Sequence, residues 1–402
     1  MSTQRDSGPL VALGITGCIG AYKAVELLRR LQDRGYQVRP VLTVAAQRFV
    51  TPLTFQTLAG AQAVTGLFDG SGDWQVEHIA LSDSMRLLLV APATANIIAK
   101  FAAGIADDFL STLYVSADCP VAIAPAMNSK MWRHAATQRN VETLKERGVV
   151  VVQPGRGYLA CGWEGEGRLA ETEDILDAAQ YALRQPKTLE GLKVLVTAGP
   201  TAEEIDSVRF ISNRSSGRMG YALAREAAAR GAKVILISGP TGLRTPYYVD
   251  GISVRTAAEM SREVDRELRG TDLLIMAAAV ADFRPRRIES GKIKKSGAAL
   301  KLELELTEDI LARVGTLKDR PFLVGFAAES EDLRGNAAAK LKSKALDMIV
   351  ANPVAGRADA MGGDTTEGLI LFADGGEKEI GRCPKAEMAS AILDEVESRI
   401  SR

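Results

Sequence analysis

The sequence predicts an α/β protein made of two doubly wound parallel sheets in tandem. An apolar strand, a glycine-bounded loop and an amphipathic helix open the chain at Leu10, reading VALGITGCIGAYKAVELLRRL from Val11 onward. The same grammar returns at Leu192–Gly220, LKVLVTAGPTAEEIDSVRFISNRSSGRMG. After each start, short apolar runs alternate with segments of helical period, the pattern of parallel strands covered by helices. A chain of 402 residues is long enough for two full-sized cores. Gln185-Pro186-Lys187-Thr188 reads as the linker, because a helix ends ahead of a proline. The domains are therefore set at residues 1–187 and 188–402.

In the first domain, Val11–Ile15 reads as a buried strand and Gly20–Arg34 as a helix with Ala24, Leu27, Leu28 and Leu31 on its core face. Strands follow at Gln37–Leu42, Leu87–Ala91, Val121–Ala124 and Val149–Val152. Helices intervene at Ala95–Ala103, Phe109–Val115, Trp132–Arg147 and Thr172–Arg184, the last with Thr172 as N-cap ahead of Glu173 and Asp174. In such a sheet ligands sit at the carboxyl ends of the strands.

The loops at those ends carry the candidate chemistry. Gly14-Ile15-Thr16-Gly17-Cys18-Ile19-Gly20 is G-x-x-G-x-x-G, which suits a phosphate near a helix N-terminus. The second strand ends at Leu42-Thr43, with no acid where a nicotinamide ribose needs one, so a mononucleotide fits better than NAD. Pro92-Ala93-Thr94-Ala95-Asn96 follows the third strand, and Pro125–Trp132 (PAMNSKMW) the fourth. His78 stands in Val76-Glu77-His78-Ile79. Cys161 stands in Gly155–Gly167 (GRGYLACGWEGEG), which reads as a mobile lid rather than a helix or strand, able to bring a thiol to a substrate and withdraw it.

In the second domain, strand Lys193–Thr197 leads through Ser207–Gly217 to a helix over Gly217–Arg230. That loop gathers Arg209, Ser212, Asn213, Arg214, Ser215 and Ser216, which suits an anion at a helix N-terminus. Strands are expected at Lys233–Ser238, Leu273–Ala277, Phe322–Phe326 and Met348–Ala351, with Leu300–Leu306 a half-exposed strand by its alternation. Helices are expected at Ala258–Arg269, Asp332–Lys344 and Lys385–Arg402. Ala277–Phe283 (AAAVADF) ends a strand and exposes Asp282, and Lys292 and Lys294 share one side of an extended segment. There is no G-x-x-x-x-G-K-[ST], so a nucleotide here is not held by a P-loop.

Composition excludes several classes. Lys plus Arg and Asp plus Glu number 50 each, so no net charge argues for nucleic acid or an anionic membrane. No apolar run approaches the roughly 20 residues of a spanning helix, and the opening stretch lacks a signal-peptide layout. Cys18, Cys119, Cys161 and Cys383 never form C-x-x-C, and the only histidines are His78 and His134, which argues against a zinc or iron–sulfur site. A cytoplasmic, reduced setting is expected.

The motifs of the first half resemble those of the flavin-containing cysteine decarboxylase family. Its P-A-S-A-N motif is matched with Thr94 for Ser, and its P-x-M-N-x-x-M-W motif at Pro125, Met127, Asn128, Met131 and Trp132. The resemblance implies a Rossmann-like, flavodoxin-like flavoprotein domain holding FMN with Gly14, Thr16, Gly17, Thr43, Thr94, Ala95 and Asn96. It implies an active site of His78, Asn128 on the substrate carboxylate and Cys161 as the proton donor. Flavin oxidises the substrate thiol to an electron sink for decarboxylation, and a thiol of pKa about 8.5 can supply the proton. Cys18 and Gly20 depart from the family's Gly and Ala.

The second half resembles phosphopantothenoylcysteine synthetase. The T-A-G-P-T, I-S-N-x-S-S-G, A-A-V-A-D, K-I-K-K and V-G-F-A-A-E segments all recur in order. The resemblance implies a Rossmann-like ligase domain in which Asn213 and Lys292 act in catalysis. Met276, Ala277, Ala278, Asp282, Lys292, Thr307, Glu308, Asp309, Ile310, Phe326, Lys340 and Lys344 would contact CTP or substrate. Thr307-Glu308-Asp309-Ile310 replaces the family's N-P-D-I. Together the resemblances imply a bifunctional enzyme of coenzyme A biosynthesis. It would use CTP and Mg2+ to join 4'-phosphopantothenate to cysteine through an acyl-cytidylate, then decarboxylate the product to 4'-phosphopantetheine. They also imply a homo-oligomer of flavodomain trimers and ligase dimers, up to a dodecamer. The alternative is a non-catalytic flavin-binding regulatory protein, against which the joint presence of His78, Asn128 and Cys161 speaks.

Overall fold

The computed structural model describes residues 8–67, 77–158, 162, 164–294, 300–353 and 362–400. The chain divides into two compact units, Met1–Gln185 and Pro186–Arg402.

The first unit is built on a five-stranded parallel sheet in the order Gln37–Leu42, Leu10–Ile15, Leu87–Ala93, Val121–Pro125, Val150–Val151. This is the flavodoxin-like order, whose switch point lies between the first and third strands of the chain. Leu87–Ala93 is buried at every position, as a strand covered on both faces must be. Helix Lys23–Asp33 buries Ala24, Leu27, Leu28 and Leu31, the face given by the spacing.

Several boundaries differ from expectation for local reasons. The first helix starts as a 3-10 turn over Ile19–Tyr22. The expected helix Trp132–Arg147 divides into Ser129–Trp132 and Ala135–Glu146, because His134 recaps the chain by accepting from Ala136 N–H at 3.2 Å. Thr172 is the first helical residue rather than the cap; Glu171 occupies the cap position with no side-chain bond. Helices Pro52–Ala59 and Glu77–Ser84 were not anticipated; the first has Pro at its start and a left-handed Gly60 at its end.

The larger correction concerns Gly155–Gly167. Strand was not expected there, yet Gly155–Tyr158 pairs antiparallel with Glu164–Arg168. One of its glycines, Gly167, admits a neighbouring backbone. A side chain at Gly167 (φ +131°) would place its Cβ 2.2 Å from the Met127 carbonyl oxygen. Cys161 falls outside the described residues.

The second unit has an eight-stranded sheet in the order Val249–Ser253, Lys233–Ser238, Lys193–Ala198, Leu273–Met276, Phe322–Glu329, Met348–Pro353, Thr365–Phe372, Glu377–Pro384. The first six strands are parallel in the doubly wound 3-2-1-4-5-6 order, and the last two are antiparallel. Of the expected strand Leu300–Leu306 only Leu304–Leu306 forms, in a ribbon with Phe283–Pro285 outside the main sheet. Among the described residues no helix is long and apolar enough to cross a membrane.

Helices Arg218–Ala229 and Lys385–Ile400 lie side by side on this sheet. Arg230, fully buried, closes the first of them. It donates to Glu226 and Glu397 carboxylates at 2.9 and 2.7 Å and to the Ser390 carbonyl at 3.0 Å. A buried guanidinium is tolerated only with such complete pairing. Its partners lie five or more residues into the second helix, so the two helices run in the same direction with their N-termini at the same end.

Candidate active sites

At the first unit's switch point, Thr16 joins two loops. Its hydroxyl donates to the Pro92 carbonyl at 2.7 Å and accepts from Thr94 N–H at 3.0 Å. Thr94 caps helix Ala95–Ala103 by accepting from Ile97 N–H at 3.4 Å, while Ala95 and Asn96 begin the helix, Asn96 exposed. Thr43 completes the frame, its amide donating to the Ile15 carbonyl at 3.1 Å and its hydroxyl accepting from Ala46 N–H at 3.2 Å. Gly14 and Gly17 are needed for close approach: added Cβ atoms would lie 2.7 Å from Leu110 Cδ1 and 2.4 Å from Ala45 Cβ. Burial pushes the Cys18 thiol up, against the N–H groups of Gly20 and Ala21, so it is kept protonated.

These residues fit a flavin nucleotide. The first amides of a helix lack intrahelical partners and attract a phosphate, and Ile19 (61% exposed) and Val44 (76% exposed) give apolar surface beside them for a flat ring. A separate cavity of about 720 Å³, lined by Leu10, Tyr36 and Gln37, lies at the opposite, amino ends of the strands, so size alone does not locate the site.

Asn128 caps helix Ser129–Trp132, its side-chain oxygen accepting from Lys130 N–H at 2.8 Å. The glycine hairpin rests on this loop: Met127 N–H donates to the Gly167 carbonyl at 2.9 Å, and a Cβ at Gly165 would meet Ser129 Oγ at 2.5 Å. The strands flanking Cys161 in sequence are thus fixed beside Asn128. His78 lies on helix Glu77–Ser84, its ring edge-on to Phe109 at 6.3 Å. Gly167→Ala forces a Cβ into a glycine-only backbone region, a strain of about 1–3 kcal/mol, and onto the Met127 carbonyl. The expected outcome is a lower melting temperature with flavin binding retained; calorimetry and absorbance titration check it.

In the second unit a cavity of about 700 Å³ opens at the carboxyl ends around the switch point between Lys193–Ala198 and Leu273–Met276. Its wall includes Asn213, Met276, Ala277, Ala278, Asp282, Thr307, Glu308, Asp309, Ile310, Phe326, Lys340 and Lys344, brought together from separate loops. Thr197 and Thr201 hold the Met276–Asp282 loop, their hydroxyls accepting from Ala278 and Ala281 N–H at 3.2 and 2.9 Å. The Asn213 amide donates to the carbonyls of Ala279 and Val280 at 3.3 and 3.1 Å. Thr307 hydroxyl donates to the Ala281 carbonyl at 2.5 Å, and Glu308 is drawn to Ser261 (2.6 Å) and Arg313 (2.8 Å). The Thr-Glu departure therefore stays anchored within the domain.

Asp309 pairs with Lys344 at 2.8 Å and caps helix Ile310–Gly315 through Ala312 N–H at 3.0 Å. Burial would push its carboxyl up, but the Lys344 ammonium and that N–H outweigh burial and hold it below the ordinary carboxylate value. Lys340 pairs with Glu329 at 2.6 Å. The Asp282 carboxylate has no ion-pair partner among the described residues. Lys292 is the predicted site residue that the cavity wall does not include. It is exposed, on a segment tied down by Ile293 N–H donating to Asp206 at 3.1 Å and by Arg209 donating to the Ile293 carbonyl at 3.2 Å.

The sequence reading missed Arg218, Asn352, Thr366 and Lys385, which also line the cavity. Asn352 and Thr366 lie within strands and Lys385 opens the final helix, and nothing local marks them as facing a cavity.

Comparison with known proteins agrees with this architecture. Residues 1–183 match the Flavoprotein family model, and residues 189–400 match the DNA/pantothenate metabolism flavoprotein C-terminal domain. The coenzyme A biosynthesis bifunctional protein CoaBC of Bacillus subtilis is 44% identical, over 96% of this chain and 96% of its own. The chain belongs to the bifunctional CoaBC family. The Escherichia coli K12 member is 42% identical over 98% of each chain. The solved C-terminal domain of a coenzyme A biosynthesis bifunctional protein CoaBC aligns at 38% identity, over 54% of this chain and 99% of that one, with a TM-score of 0.47. Membership over nearly the full length makes the chain a bifunctional enzyme of coenzyme A biosynthesis and sets aside the non-catalytic alternative.

Proposed function

We propose that the second unit joins 4'-phosphopantothenate to cysteine at the expense of CTP, and that the first unit decarboxylates the phosphopantothenoylcysteine so formed to 4'-phosphopantetheine. The observation that carries the reading is the gathering of Asn213, Asp282, Asp309, Phe326, Lys340 and Lys344 around one cavity at a switch point. Such a cavity, rimmed by lysines, suits a triphosphate and a carboxylate that must meet in spite of their like charge. The Lys340 and Lys344 ammonium groups offset the charge that develops as the carboxylate displaces pyrophosphate. The amine of cysteine then attacks the acyl-nucleotide, releasing CMP. Asn213 positions the acyl group from the loop that it ties to Ala279 and Val280. Among the described residues no group of three or more His, Cys, Asp or Glu is placed to hold a metal. Mg2+ is accordingly expected to arrive on the phosphates, with Asp282 the carboxylate free to meet it.

In the first unit, FMN, when bound against the Thr16, Thr43 and Thr94 loops, supplies a two-electron oxidation and its return. Asn128 donates its amide to the substrate carboxylate, Cys161 gives up a proton to the carbon that loses carbon dioxide, and His78 handles the thiol proton. Cys161→Ser replaces a thiol by a hydroxyl weaker as an acid by several pKa units. It is expected to release a product two hydrogens lighter than phosphopantetheine, read by mass spectrometry; normal product at the wild-type rate would remove Cys161 from the mechanism.

The test of the whole reading is incubation of the purified protein with CTP, cysteine and 4'-phosphopantothenate. Phosphopantetheine should form, and omitting CTP should leave phosphopantothenate unchanged. Conversion independent of any nucleotide, or none at all, would overturn the reading.

A further inference from the structure

Lys385 is the one buried lysine among the described residues, with 8% of its surface exposed. It is nevertheless on the wall of the second unit's cavity. Its burial is that of the residue as a whole, and its ammonium has no hydrogen-bond or ion-pair partner among the described residues. The carboxylate nearest in charge, Asp364, is taken by Arg218 at 2.7 Å and is itself 87% exposed. Burial, and then the repulsion of Arg218, hold the Lys385 ammonium below the ordinary lysine value, with only Asp364 opposing them.

The backbone around it adds positive potential. Lys385 is the first residue of helix Lys385–Ile400, and Arg218 is the first of helix Arg218–Ala229, whose cap position, Gly217 at φ 74°, contributes no side-chain bond. The Arg230 clamp sets these helices parallel, so two helix N-termini and two cations face the same end of the cavity. Among the described residues only Asp364, already paired with Arg218, opposes this charge; a bound anion would balance it.

We propose that Lys385 anchors a phosphoryl group of a substrate in this cavity, at the end formed by Gly217 and Arg218. The proposal rests on the ligase reading for the identity of the phosphates, which are those of the nucleotide or that of phosphopantothenate. A residue kept buried and unpaired for a ligand destabilises the empty protein, whereas a structural lysine stabilises it, and that difference is measurable.

The experiment uses the full chain with Lys385→Met, which keeps the stem and removes the charge, and Lys385→Arg, which restores charge. Calorimetric titrations with inorganic pyrophosphate, CTP, CMP and 4'-phosphopantothenate are read beside the melting temperature of the unliganded protein. Lys385→Met is expected to melt no lower than wild type and to lose on the order of ten- to a hundredfold in affinity for the phosphoryl ligand it anchors, with Lys385→Arg recovering part. A loss confined to pyrophosphate and CTP assigns the group to the nucleotide; a loss confined to phosphopantothenate assigns it to that substrate. Unchanged affinity for all four ligands overturns the proposal, as does a Lys385→Met protein that melts lower and binds each of them equally weakly. If wild type binds pyrophosphate through Lys385 but neither CTP nor phosphopantothenate, the anchor stands and the ligase reading falls.

Discussion

Asn128→Asp should stop decarboxylation while leaving the fold and the ligation step untouched. Asn128 caps helix Ser129–Trp132 with its side-chain oxygen on Lys130 N–H, and Asp is as good a cap as Asn, so the loop beneath the glycine hairpin keeps its shape. What changes is charge. If the substrate carboxylate docks on the Asn128 amide, the variant loses a donor and gains a like charge. At a separation of about 4 Å and an effective dielectric of about 20, that repulsion is about 4 kcal/mol, or roughly a thousandfold. Supplied phosphopantothenoylcysteine should remain unconverted, with CTP-dependent formation of the same compound at the wild-type rate. A variant that decarboxylates normally would remove Asn128 from the substrate's path.

Lys344→Gln should have the opposite signature. An ammonium has three donors; Asp309 takes one at 2.8 Å and holds the head of the side chain on the cavity wall. Removing one preorganised charge of this kind costs on the order of a hundred- to a thousandfold in rate. Ligation should fall by that factor, measured as pyrophosphate release, and decarboxylation should not change. The pH dependence has a definite sign. Asp309 is held below the ordinary carboxylate value, so the pair contributes stability at neutral pH that is lost as pH falls through the depressed value. Without Lys344 the Asp309 carboxyl moves back toward the ordinary range, and the acid limb of the stability curve shifts to higher pH.

The parallel strands were legible because burial on both faces leaves continuous apolar runs: Leu87–Ala93 and Leu273–Met276 could hardly be anything else. The antiparallel pair Thr365–Phe372 and Glu377–Pro384 escaped notice because the outer strand is exposed along most of its length and its composition is that of a loop. The Gly155–Gly167 hairpin was misread for a different reason. Its pattern records the approach of the Met127 backbone and Ser129, not a core face, and a chain partner in space leaves no period in sequence. The cavity's loop residues were readable by family resemblance, since Asn213, Asp282 and Asp309 lie in recognisable segments. Lys385 was not, because a lysine that opens a helix reads as solvated and its burial arises only from tertiary packing. Lys292 shows the converse: its motif is recognisable, yet it is not among the residues that line the cavity.

The proposed function puts two chemistries in two separate sites, one at the switch point of each sheet. Mixing purified Asn128→Asp and Lys344→Gln proteins tests it most directly. Neither alone should carry 4'-phosphopantothenate, cysteine and CTP through to phosphopantetheine. Together they should restore the conversion, through phosphopantothenoylcysteine released by the first variant and taken up by the second. A mixture of two folded, flavin-loaded proteins that stays inactive, or a single variant that has lost both reactions, would contradict the account.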